Sequence, residues 1–153
     1  MYERLEHHVG KLSATSGEDE FLAAVVVYHL LAEGVIARTA QNLAATQYER
    51  LSFPGLAEGQ RLVARDEARH IGIGVSYVRR RMNQAPERTS EVITELIEEL
   101  LGLWAELLGP ADAELGDLVR SGYGIEPLDF YSEALRLVQL RLASVGYDAG
   151  LAD

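Results

Sequence analysis

A single acid, Glu33, stands inside the most apolar stretch of the chain, Phe21 to Ala37 (FLAAVVVYHLLAEGVIA), where His29 is the only other side chain able to carry charge. A stretch of this kind belongs in an interior, and an ionised carboxylate there costs several kcal/mol unless it is paired or coordinated. Glu33 therefore needs a partner, and the rest of the chain has to supply it.

A candidate lies about one helix further on, in Ala64-Arg65-Asp66-Glu67-Ala68-Arg69-His70. Glu67 and His70, three apart, project from one face of a helix. A Glu on one helix with a Glu-x-x-His on the next is half of the ligand set of a carboxylate-bridged dimetal site in a helical bundle. By itself the pair is weak, because Arg65, Asp66, Glu67 and Arg69 also read as a solvated stripe of salt bridges. Glu33 shifts the balance, since a divalent cation shared with Glu67 and His70 would remove its burial penalty. Gly34, Gly72 and Gly74 beside these residues are costly inside helices, by about 0.8 to 1 kcal/mol each against alanine, and suggest close helix approach. His29, four residues before Glu33, reads as a core histidine ahead of a ligand. Tyr28, five residues before, would share the Glu33 face only in a locally π-helical turn.

The periodicity is helical throughout and no strand pattern appears. Helices are expected from about Tyr2 to Leu12, Glu18 to Tyr48, Leu56 to Met82, Pro86 to Leu108, Asp112 to Arg120 and Leu128 to Val145. Pro54-Gly55, Gly109-Pro110 and Gly146 punctuate them. The chain reads as one all-α unit over residues 1–153. Two long helices over 18–84 carry the half-site, and further helices follow over 86–146.

With 153 residues and 48% hydrophobic content the chain can bury a core of ordinary size. A formal charge of -10 argues against nucleic acid and anionic lipid partners. The Arg79-Arg80-Arg81 triplet reads as a solvated, dipole-favoured helix end. There is no cysteine, which leaves carboxylate and imidazole as metal donors and points to a hard or borderline ion. The charged start and the length of the uncharged runs predict no signal peptide and no membrane span, hence a soluble, cytoplasmic protein.

Tyr28-His29-Leu30-Leu31-Ala32-Glu33-Gly34, then Pro54-Gly55-Leu56, then Asp66-Glu67-Ala68-Arg69-His70, closely resembles the ribonucleotide-reductase small-subunit superfamily, nearest to its ligand-binding oxidase branch. The resemblance implies a ferritin-like bundle with a dinuclear iron or manganese–iron centre that reduces oxygen and oxidises a nearby group. It implies Glu33, Glu67 and His70 as metal ligands and Asp66 as a carboxylate that hydrogen-bonds a metal-bound histidine. It also implies Tyr28 as a redox or crosslinking residue, and a long-chain fatty-acid-like ligand beside the metals. Only the C-terminal half of the family's domain is matched, so a second Glu and a second Glu-x-x-His are missing. A homodimer about a two-fold axis, or a second chain carrying the N-terminal half, would supply them. The alternative is a metal-free helical scaffold or an inactive fragment, with Glu33 neutralised by an arginine such as Arg69.

Overall fold

The computed structural model describes residues 16–108 and 126–148, together with Asp117, Arg120, Ser121 and Gly124. Four helices form a bundle among these residues, and none of them lies in a strand. The helix expected over Tyr2 to Leu12, and most of the one expected over Asp112 to Arg120, lie outside the described residues.

The first helix, α1, runs continuously from Glu18 to Arg50. Glu18, Asp19 and Glu20 in its first turn complement the helix dipole. It ends in a Schellman arrangement, in which Phe53 N–H donates to Tyr48 O (2.7 Å) and Ser52 N–H to Glu49 O (3.0 Å). Ser52 sits there at a φ of 62°, a left-handed conformation usually left to glycine. Helix α2 (Pro54–Gln84) opens on a proline whose missing N–H costs nothing at that position. Helix α3 (Pro86–Leu108) opens in the same way. Helix α4 (Pro127–Val145) closes on Gly146, at a φ of 83°, with Tyr147 N–H donating to Leu142 O.

The core gathers Leu22, Val26, Leu30 and Val35 of α1, Val78 of α2, Ile93 and Leu96 of α3, and Leu137, Leu142 and Val145 of α4. α1 is therefore the central element, touched by all three others. That position explains why it is apolar almost all the way round, the pattern of a buried helix. By length and composition α1 also passes as a candidate membrane span, which the runs of uncharged residues do not reveal, and more than half of that stretch is buried inside the bundle.

Of the arginine triplet, Arg79 and Arg80 are exposed, as a solvated helix end requires, and Arg81 departs from that expectation. Arg81 is only 12% exposed and pairs with Glu18 at 2.7 Å, tying the end of α2 to the start of α1. Arg79 donates to Ser144 O of α4, and Arg80 lies over the Tyr77 ring at 5.6 Å. Arg81 and Arg79 thus stitch helices together, because α2 ends where α1 begins and α4 finishes, whereas Arg80 stays within α2.

Candidate metal centre

Within α1, residues Val26 to Ala37 form a π-helix, with i→i+5 hydrogen bonding in place of i→i+4. The wider turn brings residues four and five apart onto one side. Glu33 therefore meets both His29 and Tyr28, which no regular α-helix would allow.

Glu33 is 9% exposed. One carboxylate oxygen lies 2.8 Å from His29 Nδ1, and the other lies 3.6 Å from His70 Nδ1 on α2. His70 Nδ1 is in turn 3.2 Å from the Glu67 carboxylate. The three residues offer donor atoms that all fall within 4.8 Å of one another. Two donors bound to one ion at about 2.1 Å can be no more than about 4.2 Å apart, and both His70 distances meet that condition before any adjustment. Two carboxylates and an imidazole suit a hard or borderline divalent ion. The residues present fit a divalent cation.

The Tyr28 phenol is raised above its ordinary value of 10.0. The Glu33 charge is the main cause, followed by partial burial, hydrogen bonding to Glu33 and the charge of Glu67. The phenol is therefore neutral across the physiological range. Its ring meets that of His29 edge-on, with centroids 5.0 Å apart.

Close helix approach is what closes the cluster. A Cβ on Gly74 would fall well inside van der Waals contact of His29 Cβ, and 3.2 Å from Leu30 Cδ1. Gly74 thus lets α2 lie directly on the π-helical turn. Gly34 is confined less severely, with Arg141 Nε at 3.0 Å and the His29 carbonyl at 3.1 Å from an added Cβ. Gly72 departs from the expectation, because it is exposed and a Cβ there would meet nothing within 4 Å.

Asp66 does not reach the cluster. It is largely exposed, with its carboxylate 3.8 Å from Arg69 on the next turn. Arg69 forms no ion pair with Glu33, whose ion-pair partners among the described residues are the two histidines. His29 is a partly buried histidine satisfied by its hydrogen bond to Glu33, as the reading of it as a core histidine ahead of a ligand expects. Its i, i+4 spacing to Glu33 is what makes that pairing possible.

One side of the cluster is open. The His70 side chain is 56% exposed, and Leu56, Val63 and Ile73 of α2 and Phe21 and Tyr28 of α1 are exposed as well. Leu56, Val63 and His70 are spaced by seven and share a face of α2. Beside them runs a groove of about 530 Å³, lined by Phe21, Val25, His29, Ile73 and Tyr77, with Arg69 and Arg80 among its lining residues. Phe21 and Tyr77 meet edge to face there at 5.1 Å. Comparison with protein-family models, with curated proteins and with solved structures gives no match to this chain.

Proposed function

We propose that Glu33, Glu67 and His70 hold a divalent iron or manganese ion, and that the chain is half of a dinuclear carboxylate oxidase with a ferritin-like bundle. The observation that carries the reading is the meeting of a buried carboxylate with a Glu-x-x-His pair from a second helix, with no arginine paired to it among the described residues. A half-set of ligands on an open face calls for a second half-set, which a second copy related by a two-fold axis supplies. A separate polypeptide with the complementary Glu and Glu-x-x-His would serve equally. The exposed Leu56, Val63 and Ile73 around His70 support such a covered face.

When bound, the metal pair supplies oxygen reduction. The chain's own residues do the rest. Glu67 and His70 anchor the ion, and Glu33 neutralises its charge from the buried side. His29 fixes the Glu33 carboxylate, as hydrogen-bonding partners of metal ligands generally do. Tyr28, held neutral beside Glu33, keeps a phenolic proton and electron next to the ion for oxidation. The apolar groove, with Arg69 and Arg80 in its lining, is the place for a long-chain fatty-acid-like ligand. Asp66, free of the cluster in one chain, is left to hydrogen-bond a metal-bound histidine of the other half.

Isothermal titration with manganese(II) or iron(II) tests the proposal. The wild-type protein should bind either ion, and Glu67→Ala should lose at least about tenfold in affinity while far-UV circular dichroism stays unchanged. Equal affinity in the two proteins would refute the ligand assignment. A second reading, a metal-free helical scaffold, is favoured by one observation: the Glu33–His29 and Glu67–His70 pairs already satisfy one another. It predicts no heat of binding with either ion.

A further inference from the structure

The π-helical turn is the least usual feature of the site, and something outside it has to select it over an ordinary α-helix. At its end the hydrogen-bond ladder must return to the α-helical pattern. Arg38 N–H donates to Val35 O, three residues back. The neighbouring Gly34 carbonyl receives a different donor, Arg141 Nε of α4, at 3.2 Å and 107 positions away in sequence. Glycine gives the arginine room there, since a Cβ would sit 3.0 Å from Arg141 Nε and 3.1 Å from the His29 carbonyl, and one of them would have to shift by a few tenths of an ångström.

We propose that Arg141 is a positioning residue that latches the π-helical turn from α4, through the Gly34 carbonyl, and so holds Tyr28, His29 and Glu33 together. A side chain inserted into the helical ladder is a recognised cause of its distortion, and a charged donor makes the stronger bond. Arg141 has no carboxylate at ion-pair distance among the described residues, and burial, with Arg38 and Arg136 nearby, pushes its guanidinium below the ordinary range. A half-buried cation kept beside two like charges points to the carbonyl as its partner. The functional arm of the inference rests on the metal-site reading, and the structural arm does not.

Amide hydrogen exchange on the full chain, without metal, tests the latch. Arg141→Met keeps the unbranched side chain out to the Nε position and removes the donor. It should speed exchange by about tenfold over Gly34 to Thr39, the loss expected for one charged hydrogen bond, while Leu43 to Arg50 exchange as before. Arg141→Lys, which restores a cationic donor, should recover part of that protection. Manganese affinity should fall by about tenfold in Arg141→Met with helix content retained. Unchanged exchange over Gly34 to Thr39, or equal acceleration along all of α1, would overturn the latch. If Arg141→Met does not fold, the same local-against-uniform comparison between Arg141→Lys and wild type decides. A wild type that takes no manganese would defeat the metal reading and leave the exchange result to judge the latch.

Discussion

Gly72 and Gly74 form a matched pair on α2, two residues apart and on different sides of the helix, so replacing each by alanine separates packing from propensity. Alanine at either position gains about 0.8 to 1 kcal/mol of helix propensity. At Gly72 nothing stands within 4 Å of the new Cβ, and that gain should appear in full. At Gly74 the Cβ meets His29 Cβ, its Cγ at 3.1 Å and Leu30 Cδ1 at 3.2 Å. Relieving these contacts to an ordinary separation requires α2 and α1 to part by on the order of 1 Å. Overpacking of this kind costs about 1 to 3 kcal/mol, so the net effect on stability is a loss of roughly 0 to 2 kcal/mol. The effect on the site is larger. Glu33 and His70 start 3.6 Å apart across the same interface, and a further 1 Å takes them past the roughly 4.2 Å that one ion can span. Urea unfolding and manganese titration of both variants measure the two effects. Gly72→Ala should be more stable with unchanged affinity, and Gly74→Ala should lose at least about tenfold in affinity. Equal behaviour of the two variants would refute the claim that helix approach at Gly74 builds the site.

Tyr28→Phe should leave metal binding intact and abolish any tyrosyl radical or oxidative crosslink formed on exposure of the metal-loaded protein to oxygen. Electron paramagnetic resonance and peptide mass analysis read this out, and an unaltered radical signal would reassign it to another residue. Ser52→Gly should raise stability by about 0.5 to 1 kcal/mol, because it relieves a left-handed serine at the C-terminal cap of α1, and thermal unfolding measures it. The Arg136 guanidinium holds the Glu133 carboxyl below its ordinary 4.5, so the pair's stabilisation is present above that value and is lost as pH falls through the depressed one. Glu133→Gln should therefore flatten stability against pH below 4.5, by no more than about 1 kcal/mol for a pair this exposed.

The bounds of the helices were legible because they rest on local chemistry. Pro54, Pro86 and Gly146 fix element ends through a missing N–H or a left-handed turn, and both effects are written in single residues. Glu33, Glu67 and His70 were legible as a group because a lone acid among aliphatic residues has few tolerable surroundings. The π-helical turn was not. Val26 to Ala37 has the composition of any buried helix, and its hydrogen-bond register is set by what packs on it, Gly74 from α2 and Arg141 from α4. The same reason hid the difference between Gly72 and Gly74, since position in sequence does not say which side of α2 faces α1. Arg81 was misread because its partner, Glu18, lies 63 residues away. Asp66 lies exposed with its carboxylate 3.8 Å from Arg69, and the role that the family resemblance implies for it, beside a metal-bound histidine, is not one that position in sequence reveals.

The most direct test of the account is the metal content and particle mass of the purified chain after loading with manganese(II) or iron(II), read together by native mass spectrometry. One divalent ion per 16.8 kDa chain is expected, in a particle of two chains where a second copy completes the site, and the ion should be lost when Glu33 is replaced by alanine. A metal-free single chain under both loading conditions would contradict that expectation.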